Sequence, residues 1–143
     1  MKIEYQPIGI VHSPFKELQE VPRQSYLAKD VKGTVEVYPE FEPGLKDLDG
    51  FSHIVLVCHF HMSIDYRLHV VPSKDTELRG LFSTCSPKRP NPIGISIVLL
   101  NKIENNILLI SGIDILDGTP VIDIKPYTNE FENFTNVQIG WIK

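Results

Sequence analysis

Residues Ile95 to Leu116 read ISIVLLNKIENNILLISGIDIL, and this stretch decides the fold. Two apolar runs rich in isoleucine, Ile95 to Ile103 and Ile107 to Leu116, flank Glu104-Asn105-Asn106. Both runs have the length and composition of strands, and the polar triplet is turn chemistry, so the stretch predicts a tight β-hairpin. Downstream, Asp117-Gly118-Thr119-Pro120 reads as a turn and Val121 to Ile124 as a short strand, with Val137 to Ile142 as a last one. Upstream, Ser83 to Gly94 is a proline-rich loop and Arg79 to Phe82 a short strand. Ser52 or His53 to Phe60 is a continuous apolar run suited to a strand buried on both faces. Gly33 to Tyr38 alternates with period two, and Ile3 to Val11 predicts a first strand that Pro14 ends. Residues 15–32 and 61–78 read as long loops, and Phe41, Leu45 and Leu48 have the spacing of one short helix. The expectation is a single domain over residues 1–143, mainly β, with six to eight short strands. A closed barrel is preferred to a sandwich because closure removes exposed edges.

The bulk numbers agree with one globular domain. The chain has 143 residues, enough to bury one core without disulfide or metal staples. A net charge of −4 argues against a sequence-blind nucleic-acid binder but leaves room for a local basic patch. The two cysteines, Cys58 and Cys85, form no disulfide framework, which fits a reducing compartment. The N-terminus lacks the pattern of a signal peptide, and no apolar run is long enough to span a bilayer, so the cytosol is the expected address.

Three segments carry candidate chemistry. In the first, Ser86-Pro87-Lys88-Arg89-Pro90-Asn91-Pro92-Ile93-Gly94, three prolines fix φ and push Ser86, Arg89 and Asn91 toward extended backbone. Such a loop has little entropy left to lose on binding. Asn91 offers a donor and an acceptor to a purine or ribose, while Lys88 and Arg89 offer phosphate contacts. The bland alternative is a rigid surface connection with solvated charges. In the second, Asp117 to Tyr127, Asp123 and Lys125 share one strand face. That pair is either a solvated surface or a base beside a cation, and Tyr127 can stack on a base or a sulfonium. In the third, His59 and His61 would face one side of a strand. A metal reading needs more ligands than this spacing supplies, whereas a histidine general base needs only one. The sequence has no GxGxxG after a strand, no P-loop and no GxSxG.

These residues resemble one family. Arg89-Pro90-Asn91-Pro92-Ile93-Gly94 and Asp117-Gly118-Thr119-Pro120-Val121 with Asp123-Ile124-Lys125-Pro126-Tyr127 are long, ordered strings similar to those of the TrmO (tsaA-like) family. Shorter matches include Ser13-Pro14-Phe15, Pro22-Arg23-Gln24, Gly33-Thr34-Val35-Glu36 and Gly50-Phe51-Ser52-His53-Ile54. Cys85 stands where members of the family commonly carry arginine. The resemblance implies a single-sheet β-barrel methyltransferase, unlike the Rossmann type, that works as a homodimer with sites near the subunit interface. It implies S-adenosyl-L-methionine as cofactor and the anticodon loop of tRNA as partner. The implied reaction is N6-methylation of N6-threonylcarbamoyladenosine at position 37. The assignments that go with it are Ser86, Arg89, Pro90, Asn91, Pro92, Ile93, Gly94, Asp117, Thr119, Pro120 and Tyr127 at the cofactor. Arg23, Gln24, Lys88 and Lys125 are assigned to tRNA, Asp123 or His61 to proton removal, and no residue to metal. The rivals are a methyltransferase with another acceptor, a non-catalytic barrel that binds S-adenosyl-L-methionine or RNA, and a metal enzyme using His59 and His61.

Overall fold

A computed structural model describes residues 1–22 and 25–142. The strands are β1 (Gly9–His12), β2 (Lys32–Val37), β3 (His53–His59), β4 (His69–Val70), β5 (Arg79–Gly80), β6 (Ile93–Glu104), β7 (Ile107–Ser111) and β8 (Pro120–Pro126). Six of them close into an antiparallel barrel in the order β1-β2-β7-β6-β3-β8, and β4 and β5 form a separate two-stranded ribbon. The hairpin expected from Ile95 to Leu116 is the β6–β7 pair, with Glu104 opposite Ile107. Asn105 takes the left-handed turn conformation at φ 55°, which asparagine tolerates better than most residues. The Asn106 side chain then donates to the Val37 carbonyl at 2.8 Å and ties the hairpin to β2.

Alternation along the strands fills the barrel. Val11, Val35, Val37, Ile54, Leu56, Val98, Leu108, Ile110 and Val121 point inward and are all but inaccessible to solvent. The strand β3 lies between β6 and β8, pairing with both over most of its length, and its Ile54, Val55, Leu56 and Cys58 are all buried.

Some boundaries differ from the sequence reading. Of the expected first strand only Gly9 to Val11 is in β1, which runs on to His12, and residues 1–7 are exposed. The run expected through Leu116 leaves β7 at Ser111, where Gly112 adopts φ 86° and turns the chain across one end of the barrel. Ile113 and Ile115 then plug that end, so their apolar character serves the core rather than a strand. Val137 to Ile142 forms no strand, because Asn136 and Gly140 hold positive φ values of 58° and 62° that break an extended run. The expected short helix is two 3-10 segments, Pro39–Leu45 and Leu48–Gly50, and its Leu45 and Leu48 do pack against the core. Arg79 to Phe82 divides into the two residues of β5 and a 3-10 turn at Leu81–Ser83.

Candidate functional site

The end of the barrel plugged by Ile113 and Ile115 gathers the end of β3 and the starts of β6 and β8. Cys58 is paired with Gly94 on one side and Val121 on the other. The proline-rich loop and the Asp117 to Pro120 turn therefore sit at the same end, although they lie far apart in the chain.

The loop is pinned at its exit by Phe60. The Phe60 N–H donates to the Pro92 carbonyl at 2.7 Å, and its ring lies on Gly94 so closely that a Cβ there would fall 2.0 Å from Cζ. Gly94 is needed for this close approach rather than for its backbone freedom. Within the loop, Arg89 Nη1 donates to the carbonyls of Thr84 at 2.8 Å, Ser86 at 3.1 Å and Leu81 at 3.4 Å. That guanidinium also stands 5.8 Å from the centre of the Phe82 ring. Arg89 thus organises the loop from within. Asn91 and Pro90 are exposed beside it, with Pro92 and Ser86 half-buried. Lys88 reaches Asp65 at 3.6 Å, an exposed ion pair of little energetic weight that a phosphate can displace.

The Asp117 turn is more structural than the sequence suggests. Asp117 Oδ1 accepts from the Ser13 N–H at 2.9 Å, and Oδ2 meets Lys16 Nζ at 3.0 Å. Partial burial works against the charged form, but the Lys16 hydrogen bond, the Ser13 amide and the charges of Lys16 and His12 outweigh it and hold the carboxyl below its usual range. Thr119 is buried and donates to the Leu116 carbonyl at 2.7 Å, while Pro120 lies opposite Ile10 in β1. A depressed carboxylate stabilises the fold above its unfolded value and loses that contribution as pH falls through the folded value. Asp117→Asn should therefore be less stable than the parent at neutral pH, with the gap in urea midpoint closing below about pH 4. A gap that persists unchanged at pH 2 to 3 would show that the charge is not what matters.

His61 lies in the turn just after β3 rather than on the strand with His59. Among the described residues, its Nδ1 is the buried side-chain nitrogen or oxygen with no hydrogen-bond partner. Burial, with His59 adding to it, holds the imidazole below its ordinary value, so His61 is neutral near pH 7. Its neighbour Phe60 contacts Pro92, which places it beside the loop. Asp123 is different. Its Oδ2 is 2.8 Å from Lys125 Nζ, and Oδ1 accepts from the Ile124 N–H. The bond from Lys125 to the Asp123 carboxylate, with the charge of that carboxylate, raises the Lys125 ammonium above its usual range.

Tyr127 stands apart from the loop. Its N–H donates to the His53 carbonyl at the opposite end of β3, and it is seven residues beyond Pro120, about 20 Å along an extended strand. There its ring stacks on Phe131 at 5.3 Å, meets His53 edge-on at 6.0 Å, and its hydroxyl bonds Glu132. Arg23 and Gln24 lie outside the described residues. Among the described residues no group of three or more His, Cys, Asp or Glu side chains is placed to hold a metal ion. Burial pushes the Cys58 thiol up to about 12, with Asp114 adding to it, so this thiol is not poised as a ligand or nucleophile. No described helix is long and apolar enough to cross a membrane.

Two residues escaped the sequence reading. Asp114 accepts from Ser96 Oγ at 3.0 Å across the barrel mouth, a pairing that no local pattern announces. Trp141 reaches Ser83 from the C-terminal segment.

Comparison with known proteins is consistent with this geometry. Residues 10–133 match the model of the tRNA-methyltransferase O N-terminal domain. A Pyrococcus abyssi protein named "Probable S-adenosyl-L-methionine-binding protein" is 55% identical over 143 residues, all of this chain and 78% of that protein. The tRNA (adenine(37)-N6)-methyltransferase of Escherichia coli is 36% identical over 134 residues, 87% of this chain and 57% of that enzyme. The crystal structure of TrmO from Pseudomonas aeruginosa superposes with a TM-score of 0.81 at 38% identity, covering 98% of this chain and 62% of that one. The chain thus spans less than two thirds of these two bacterial relatives.

Proposed function

The chain belongs to the tRNA-methyltransferase O family, and from that premise we propose that it is an S-adenosyl-L-methionine-dependent tRNA methyltransferase whose acceptor is N6 of N6-threonylcarbamoyladenosine at position 37. The observation that carries this reading is the meeting of the stiff Ser86 to Gly94 loop, the Asp117 turn and His61 at one barrel end.

The residues there suit the cofactor. Asn91 is exposed on a loop already ordered by Arg89 and Phe60, so its amide can pair with an adenosine edge without ordering the backbone first. The buried His61 Nδ1 has no hydrogen-bond partner, a polar atom left to be satisfied when a ligand settles beside the loop. When bound, the cofactor supplies a methyl group on a sulfonium. The acceptor nitrogen is delocalised into the purine and the carbamoyl carbonyl, which makes its lone pair a poor nucleophile but its proton more acidic. A neutral imidazole beside the loop is suited to take that proton. Lys88 and Lys125 sit in exposed ion pairs that exchange readily for phosphate, and the splayed bases of an anticodon loop suit such a site.

A homodimer fits the same surface. The outward positions of β6 carry Ile93, Ile95, Ile97 and Leu99, exposed by 40%, 70%, 50% and 39%, an apolar stripe of the kind that a second copy covers. The cytoplasm, where tRNA is modified, is the matching compartment.

The test is direct. Purified protein is incubated with S-adenosyl-L-methionine and tRNA carrying N6-threonylcarbamoyladenosine, and the digested nucleosides are weighed. The expected product is one methyl heavier and absent when the tRNA lacks the threonylcarbamoyl group. Cofactor binding with no product from either tRNA favours a non-catalytic barrel, and a product from unmodified tRNA moves the acceptor elsewhere.

A further inference from the structure

We infer that Trp141 is a positioning residue for the proline-rich loop, its indole N–H clamping the turn through which that loop leaves the body of the protein. The ligand named here rests on the function proposed above; the clamp itself does not.

The loop is secured at its exit by Phe60 and in its middle by Arg89, but its entry is thinly held. Of the Leu81–Ser83 turn, only Leu81 is buried, and Phe82 is 75% exposed. The turn is otherwise kept by Ser83 Oγ donating to the Gly80 carbonyl at 2.8 Å, Thr84 Oγ1 to the Leu81 carbonyl at 2.7 Å, the Leu81 N–H to the Leu68 carbonyl at 2.8 Å and Arg89 Nη1 to the Leu81 carbonyl at 3.4 Å. Trp141 adds a fixture at Ser83 itself, from the far end of the chain. Its Nε1–H is shared between the Ser83 carbonyl at 3.0 Å and Ser83 Oγ at 3.2 Å, across 58 positions of chain.

The ring is held in turn. The Arg79 guanidinium lies 5.0 Å from its centre, and Arg79 is tethered to Asp75 at 2.8 Å and Glu77 at 3.1 Å. The rest of the tail makes no comparable anchor: Phe134, Val137, Ile139 and Ile142 are each at least half exposed. A tail tied down for packing would bury those apolar side chains. This one buries part of its indole and delivers a donor to the stem of the loop. The same Ser83–Thr84 stem supplies a carbonyl to Arg89, so slack at the entry passes directly to the residues around Asn91.

Trp141→Phe keeps a ring over Arg79 and deletes the donor, which separates the hydrogen bond from the packing. Hydrogen exchange of the backbone amides at Cys85, Ser86, Lys88 and Arg89 is compared with that of β3, alongside calorimetric titration with S-adenosyl-L-methionine. The expected result is faster exchange in the loop alone and a Kd weakened about fivefold, the worth of one hydrogen bond. Because Trp141 is the sole tryptophan, its fluorescence should also become less open to acrylamide when the cofactor binds the parent protein. Trp141→Phe with parental loop exchange and parental Kd would overturn the clamp and leave the proposed function standing, even if its melting temperature fell. A parent that binds no cofactor, with loop exchange still faster in the variant, would retain the clamp and overturn the choice of ligand.

Discussion

His61→Gln is expected to cut kcat for methyl transfer by about a hundredfold or more, the scale of a lost general base. The variant keeps a polar side chain of similar reach, so the cofactor Kd should move much less than kcat. The acidic limb of the parental rate profile should lie below the ordinary histidine value of about 6.5, because burial and His59 disfavour the imidazolium. The sign follows from the role: a base must be neutral, and a lowered value keeps it neutral further into acid. Asp123→Asn is the companion measurement. Asp123 already faces Lys125 at 2.8 Å and the Ile124 amide, so its loss should disturb that surface pair more than the chemistry. A His61→Gln enzyme with near-parental kcat, and an Asp123→Asn enzyme without activity, would reverse the assignment.

Gly9→Val is expected to destabilise the barrel by about 3 kcal/mol, the upper range for overpacking a closed interior. A Cβ at Gly9 would stand 2.4 Å from the Glu36 carbonyl oxygen and 3.2 Å from Val37 Cα. Those are backbone atoms, so no side chain can swing aside to make room. The strain falls on β1, which closes the barrel through four residue pairs with β2 and two with β8. Urea unfolding measures the loss, and hydrogen exchange in β1 should rise first. Gly44→Ala is the control, since a Cβ there meets nothing within 4 Å. Equal midpoints for Gly9→Val and the control would mean that the strands part without cost.

The barrel was legible because its signals are local. Strand length, period-two alternation at Gly33 to Tyr38, and the polar turn at Glu104 to Asn106 each depend on near neighbours in the chain. The errors fell where a local signal had two uses. Ile113 and Ile115 look like a continued strand, yet they plug the barrel after Gly112 turns the chain. Val137 to Ile142 alternates like a strand but has no partner strand in the described structure. The proline-rich loop was recognisable as a stiff element because proline acts on its own φ and on the residue before it.

Its use was not legible in the same way. Lys88 reads as a phosphate contact or a solvated charge and Asp117 as a turn residue, and the fold gives them Asp65 and Lys16 as partners, whereas the Asp123–Lys125 pair was already visible from its period-two spacing. Arg89 reads as a phosphate ligand, and the fold turns one of its nitrogens onto three carbonyls of its own loop. Composition and ordered strings were enough to establish strands, turns and family, because those properties are written in neighbouring residues. That Asp117 meets Lys16 and Lys88 meets Asp65, that Tyr127 stands at the far end from the loop, and that Trp141 returns to Ser83 were settled only when the barrel closed. Each depends on distances between segments far apart in the chain, which local propensity does not encode.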